Sequence, residues 1–119
     1  MSNSAEGFGE AAVAGCWGFT VVEHRAGRFR LVGELDTVSV GAVRDRFVRL
    51  GGDVELECSE VSFIGSSGLQ LLLAIRAACE AGGGHLVLVN PSRCVVRLLA
   101  LSGLNVVFTT RVDESWEER

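Results

Sequence analysis

The chain has 119 residues, a formal net charge of −4 and a pI of about 5.1, and 48% of its residues are hydrophobic. This length fits one domain with enough apolar material for a core, and the acidic charge argues against nucleic acid as a partner. All 11 cationic residues are Arg, so Schiff-base chemistry and a P-loop lysine are excluded.

The first segment, residues 1–15, is rich in Ser, Ala, Gly and Glu, and it lacks the basic region that opens a secretory signal. We expect a flexible N-terminal arm over residues 1–15 and a single domain over residues 16–119. No apolar run approaches the ~20 residues that span a bilayer. The expectation is therefore a cytoplasmic protein without membrane association.

Two strand-like runs follow, over residues 18–23 and 28–35, and the short link between them contains a Gly, which predicts a hairpin. After Asp36, apolar residues repeat at helical spacing as far as Leu50, and Gly51-Gly52 is typical of a helix end.

The next predicted strand, residues 53–64, alternates apolar residues such as Val54 and Leu56 with Glu55 and Glu57. This pattern predicts one face covered by helices and one solvated face that carries the glutamates.

The remaining elements are a helix over about 67–81, a strand over 85–90, a helix from Pro91-Ser92 to Ser102-Gly103, a strand over 105–109 and a frayed helical turn over 113–119. Strands joined by helices run parallel, with right-handed crossovers. The order therefore predicts an α/β fold, with a mixed, mostly parallel sheet of about five strands and the helices packed on one face.

The junction of strand and helix reads Gly65-Ser66-Ser67-Gly68. It is not a G-x-S-x-G nucleophile elbow, because Leu69 stands where the second Gly is needed, and no catalytic partner is evident. Ser67 and Gln70 fit a capping box, in which the Ser67 hydroxyl accepts the backbone N–H of Gln70. Ser66 is then left outside the helix, where the residues alone predict an ordinary loop position.

Cys16, Cys58, Cys79 and Cys94 are widely spaced and form no C-x-x-C pair. We expect buried thiols, with Cys58 pointing into the core and Cys94 in the first turn of its helix. Neither a cofactor nor a bound metal is expected.

Three motifs occur in order between about residues 18 and 110: GELD at 33–36, VSFIGSSGL at 61–69, and the run from Pro91-Ser92 through VRLL to SGL at 102–104. Together they resemble the STAS domain, the fold of bacterial anti-sigma factor antagonists.

The resemblance implies that Ser66 is phosphorylated by a partner anti-sigma factor that is an ATP-dependent serine kinase. The unphosphorylated protein then binds the anti-sigma factor and frees a sigma factor, whereas the phosphorylated form does not bind. In this interpretation Ser67 caps the helix and Ser66 switches binding. The implied partner-binding residues all lie near the GELD end and the serine pair: Asp36, Gly65, Ser66, Ser67, Gly68 and Leu69.

Gly65 departs from the family pattern, which has Asp at this position. Asp36 is retained, and it fits an N-cap of the following helix as well as a partner contact. Two other functions stay open: an accessory subunit of a lipid-transport ABC complex, and an antagonist under redox control through a cysteine pair such as Cys16 with Cys94. A small enzyme is a further class, for which the sequence offers no constellation of residues.

Overall fold

The structure is a computed structural model that describes residues 12–16, 19–36 and 52–116. Its strands are β1 (Ala12–Cys16), β2 (Phe19–Arg25), β3 (Arg28–Leu35), β4 (Val54–Ile64), β5 (Leu86–Val89) and β6 (Thr109–Arg111). Its helices are α1 (Ser66–Ala81) and α2 (Arg93–Ser102), and a 3-10 helix (Leu104–Val106) follows α2. The helix that the sequence predicts after Asp36 lies outside the described residues.

The strands of the described residues form one six-stranded sheet in sequence order, from β1 to β6. β1, β2 and β3 pair antiparallel, whereas the pairs from β3 to β6 are parallel. α1 connects β4 to β5 and α2 connects β5 to β6, which are the crossovers that parallel neighbours require. The predicted hairpin and the predicted mixed α/β fold are confirmed.

β1 is a strand that the sequence does not predict. The expected flexible arm over residues 1–15 is wrong in its last part, because Ala12 pairs with Val22 and the ladder continues to Cys16 opposite Phe19. Small residues such as Ala and Gly have weak strand propensity, so the partner strand rather than the local sequence makes this segment extended. The earlier part of the expected arm lies outside the described residues.

The last strand is β6, and it lies further along the chain than the predicted residues 105–109. Gly103 ends α2 in the left-handed conformation, with φ at 77°. The chain then continues in the 3-10 helix, and Phe108 packs into the core with 5% of its surface exposed. Pairing with β5 begins only at Thr109, opposite Val87, so the apolar run before it fills the core instead of extending the sheet.

The two described helices cover one face of the sheet. Val54, Leu56 and Cys58 of β4 are almost completely buried there. They share one core with Leu71, Leu72 and Ile75 of α1 and with Val95 and Leu99 of α2. The predicted alternation along β4 and the inward position of Cys58 are confirmed. Neither α1 nor α2, the two helices among the described residues, is long and apolar enough to cross a membrane.

The opposite face carries the glutamates of β4, and the prediction that it is solvated is wrong at Glu57, which is 2% exposed. Its carboxylate accepts hydrogen bonds from Arg30 Nε at 3.3 Å, from Asn90 Nδ2 at 3.0 Å and from the Ser59 hydroxyl at 3.1 Å. A buried carboxylate is costly unless it is paired and hydrogen-bonded. The arginine of the neighbouring strand therefore makes a glutamate possible at this position.

Trp116 covers this polar face and is 2% exposed. Its indole Nε1 donates to Glu55 Oε1 at 3.1 Å. The guanidinium carbons of Arg28 and Arg30 lie 4.6 and 5.4 Å from its ring centroid, within the range of cation–π attraction. The charged face is thereby closed by an aromatic side chain.

Asn90 holds the C-terminal segment in place. The backbone N–H of Asp113 donates to Asn90 Oδ1 at 2.8 Å, and Asn90 Nδ2 donates to the Asp113 carbonyl at 2.9 Å. Asn90 has a positive φ of 52°, which asparagine tolerates better than most residues. The segment predicted as a frayed helical turn instead begins as an anchored turn, and its last residues lie outside the described part of the chain.

The polar face predicts a pH dependence of stability. Burial acts to raise the pKa of Glu55, but hydrogen bonds from Arg111, Trp116 and Arg28 outweigh it and hold that pKa below its usual value. A carboxyl with a lowered folded pKa stabilises the protein above its unfolded pKa of about 4.3 and loses this contribution as the pH falls through the folded pKa. Glu55→Gln should therefore lower the free energy of unfolding by about 1 kcal/mol at pH 7.

Urea unfolding of Glu55→Gln and wild type at pH 7 and at stepwise lower pH tests this expectation. The difference between them should shrink below about pH 4. Glu80→Gln is the control, because the Arg76–Glu80 pair lies on the surface of α1 and such pairs contribute little. A difference for Glu55→Gln that is unchanged at low pH would contradict the prediction.

Candidate functional site

The candidate site lies where β3 and β4 end at the same edge of the sheet. The parallel ladder between them runs to Leu35 opposite Ile64. Beyond it, the backbone N–H of Gly65 donates to the Leu35 carbonyl at 3.1 Å. This bond places the GELD end, with Asp36, beside the start of α1. The structure therefore brings the GELD motif and the VSFIGSSGL motif together.

Helix α1 begins at Ser66, with Gly65 as its N-cap. Gly65 has extended backbone angles, φ −104° and ψ −171°, and its carbonyl accepts the N–H of Leu69 at 3.0 Å. The predicted capping box on Ser67 is wrong, because Ser67 lies inside the first turn. Ser66 is likewise the first helical residue and not a loop residue. Gly is itself a favoured N-cap residue. Gly65 was therefore the signal in the sequence that the helix begins at Ser66.

The two serines differ in exposure, since Ser66 is exposed and Ser67 is half-buried. Gly65 makes no side-chain cap, and the first turn of α1 contains no acidic residue. The first N–H groups of a helix lack helical partners and carry a partial positive charge. The Ser66 hydroxyl therefore stands at a position that accommodates a negative group without a change of fold.

Gly68 is a packing residue, and its contact with a partner stays a prediction. It is buried, and a Cβ placed on it would lie 2.7 Å from Ile64 Cγ1 and 2.9 Å from Leu35 Cβ. The absence of a side chain lets α1 approach the ends of β3 and β4 closely. Leu69, the next expected contact residue, is half-buried and packs against the core.

Phe63 is a candidate contact residue that sequence reasoning missed. It is 50% exposed. The pairing of Gly33 with Val61 is followed by that of Glu34 with Phe63, so Ser62 is an extra residue in β4. Such a bulge redirects the side chains that follow it. A Cβ on Gly65 would lie 3.5 Å from Phe63 Cε2, so the aromatic ring lies directly beside the helix start.

The described thiols divide into two buried groups and one that is partly accessible. Burial, followed by the charge of Glu57, raises the pKa of Cys58 far above its usual range, and burial raises the pKa of Cys79 as well. A thiol in this state reacts slowly, because the thiolate is the reactive form. Cys94 is half-buried in the first turn of α2, as expected. The side chain of Cys16 is outside the described structure, so the Cys16–Cys94 pair stays a prediction.

Ser92 is the N-cap of α2, but its side chain does not cap the helix. Its hydroxyl instead lies 3.3 Å from the Cys94 sulfur, which also donates to the Val61 carbonyl at 3.2 Å. The start of α2 is thereby attached to the end of β4.

Comparison with known proteins gives a consistent result over most of the chain. The family model of the STAS domain matches residues 20–118. The Anti-sigma-B factor antagonist of Bacillus subtilis (strain 168) is 31% identical over 77 residues, which cover 62% of this chain and 71% of that protein.

Solved structures that are similar to this chain include further anti-sigma factor antagonists. The anti-sigma factor antagonist SpoIIAA in its unphosphorylated form matches with a TM-score of 0.66 and 25% identity, covering 85% of this chain and 94% of that chain. The phosphorylated form of SpoIIAA from Bacillus matches with a TM-score of 0.60 and 25% identity, covering 85% and 97%. A Thermotoga maritima protein shares the fold, with a TM-score of 0.62 at 24% identity and coverage of 84% and 89%.

The packing of Gly68 predicts the effect of adding one methyl group. Gly68→Ala should destabilise the protein by about 1–3 kcal/mol, because a close-packed site must shift to admit a side chain. Thermal or urea unfolding measures the loss. Gly65→Ala is the matched control, because its Cβ meets Phe63 at ordinary contact distance, and it should cost less than about 1 kcal/mol. Equal stability of Gly68→Ala and wild type would mean that α1 is not held this closely.

Proposed function

Because this chain belongs to the STAS domain family, we propose that it is an anti-sigma factor antagonist. It binds an anti-sigma factor in the cytoplasm and thereby releases a sigma factor, and it acts by binding without catalysis of its own. The observation that carries this proposal is the exposed Ser66 at the start of α1, at the place of the family's switch serine. The relatives named above are anti-sigma factor antagonists, which favours this function over an accessory subunit of a lipid-transport complex.

The switch is phosphorylation of Ser66 by the anti-sigma factor, acting as an ATP-dependent serine kinase. A phosphate adds about −1.5 to −2 charges at pH 7. At the N-terminus of α1 the helix dipole favours this charge, so the fold is kept and the surface changes. The match of both the unphosphorylated and the phosphorylated SpoIIAA structures to this fold supports such a mechanism.

The partner surface is centred on Ser66 and includes Gly65, the nearby Asp36 and the half-exposed ring of Phe63. Aromatic side chains of this size are common anchors in protein interfaces. Ser67 and Leu69 are half-buried and lie at the margin of this surface. A phosphate on Ser66 excludes a partner that fits the unmodified serine, through both its bulk and its charge.

Redox control has weaker support than phosphorylation. Among the described cysteines, Cys58 and Cys79 are buried and have raised pKa values, which leaves Cys94 as the accessible thiol. We therefore assign the regulation of binding to Ser66.

The first test uses the two serines as matched variants. Wild-type protein should capture an ATP-binding anti-sigma factor in a pull-down from the native organism, with partners identified by mass spectrometry, and Ser66→Asp should lose it. With that partner and ATP, wild type and Ser67→Ala should each take up one phosphate, whereas Ser66→Ala should take up none. Phosphate on Ser67 alone, or capture of a membrane transport complex in place of an anti-sigma factor, would contradict the proposal.

The second test concerns Gly65, where the family has Asp. Its φ is negative and its Cβ position is in ordinary contact with Phe63, so Gly65→Asp should be accommodated without strain. An N-cap carboxylate at a helix start should stabilise the fold by about 0.5 kcal/mol. We also expect faster phosphorylation of Ser66 by the partner kinase.

Unfolding experiments and initial rates of phosphate transfer measure both effects, with Gly65→Asn as the uncharged control. A stable Gly65→Asp variant with an unchanged phosphorylation rate would show that the glycine is a neutral replacement in this chain.

A further inference from the structure

A groove lies between the end of β4 and the start of α2. β4 pairs with β5 only as far as Glu57 opposite Val89, so its residues 58–64 extend past β5, and the first turn of α2 lies against them. The cavity has a volume of about 370 Å³. We call it the arginine groove, and its lining residues are Val61, Ser62, Ser92, Arg93, Cys94 and Arg97.

The groove is cationic in an acidic protein. Arg93 and Arg97 are exposed, and within the described residues no ion pair joins either of them to a carboxylate. The sequence contains no Asp or Glu over residues 61–79 or 81–112, although the chain as a whole carries −4. Among the described residues, the two exposed arginines therefore lie beside polar and apolar groups and are not paired with a carboxylate.

The groove and the switch serine lie at the same edge of the molecule. Ser62 lines the groove and precedes Ser66 in the continuous chain of β4 and α1. At a strand rise of about 3.3 Å per residue, their Cα atoms are at most ~13 Å apart. One partner protein can cover both, because the surface that a specific interface buries is considerably wider than this.

We propose that the arginine groove is a second contact region for the anti-sigma factor and that it receives an acidic segment of that partner. This inference rests on the proposed function. Guanidinium groups bind carboxylates through paired hydrogen bonds, and the opposite charges speed and orient association. Two arginines on a chain of net charge −4 do not form the extended basic patch that nucleic acid or an anionic membrane requires. A phosphate on Ser66 adds negative charge near the groove. It therefore weakens the binding of the partner's acidic segment to the arginine groove.

Single charge reversals test the groove, with the anti-sigma factor recovered in the pull-down as purified ligand. Arg93→Glu and Arg97→Glu should each raise the dissociation constant by about tenfold or more. Arg25→Glu is the matched control, because Arg25 is exposed and lies at the hairpin, near the opposite ends of the strands. It should change the dissociation constant by less than about twofold. Arg93 is the first residue of α2, where a glutamate is favoured by the helix dipole, so unfolding does not explain a loss of binding.

Cys94 provides an independent measurement within the groove. In a Cys16→Ser background the remaining described thiols, Cys58 and Cys79, are buried, so alkylation by iodoacetamide reports on Cys94. Saturating anti-sigma factor should slow this alkylation by about tenfold or more, and Ser66→Asp, which does not bind, should restore the free rate.

The outcomes separate this inference from the proposed function. If wild type binds the anti-sigma factor, Ser66 is phosphorylated, and Arg93→Glu and Arg97→Glu bind like Arg25→Glu, the groove is not a contact region and the proposed function stands. If the bound anti-sigma factor does not slow the alkylation of Cys94, the groove is likewise not a contact region. If wild type binds no anti-sigma factor, both proposals fall together.

Discussion

The length of β4 is the constraint on which the rest of this structure depends. It pairs with β3 up to Ile64 but with β5 only up to Glu57. Its second half is therefore supported by β3 on one side and by the start of α2 on the other. The extension carries Phe63 outward and delivers Ser66 to the exposed beginning of α1. Ligands and partners of parallel α/β sheets bind at the carboxyl ends of strands, and here one long strand enlarges that edge.

The two faces of β4 are stabilised by different interactions. One face is apolar and is buried by the helices, which contributes the hydrophobic part of the stability. The other face carries glutamates that are paired with Arg28 and Arg30 of β3 and covered by Trp116. The consequence is a separation of charge, because carboxylates are paired with arginines on the polar face, while Arg93 and Arg97 of α2 are exposed near the edge that carries Ser66.

In the sequence Gly-Ser-Ser-Gly the glycines have the structural roles that the residue types led us to expect of a serine. Gly65 and Gly68 perform the structural work, the first as N-cap and the second by close packing. Ser66 is exposed at the first helical position and Ser67 is half-buried in the first turn. A capping serine is therefore not needed at this junction, and Ser66 is the more exposed of the two serines.

The sequence by itself determined the order of the described elements from the hairpin through α2, the inward position of Cys58 and the family. Hydrophobic periodicity and local motifs specify these, because neighbouring residues within one element create them. Only the tertiary structure decided that Ala12–Cys16 pair as a strand and that Ser62 is an extra residue in β4. It also decided that Glu57 is buried under arginine and asparagine side chains. Strand pairing, a bulge and a cross-strand ion pair depend on residues that are distant in the chain, and no local pattern encodes where those residues meet.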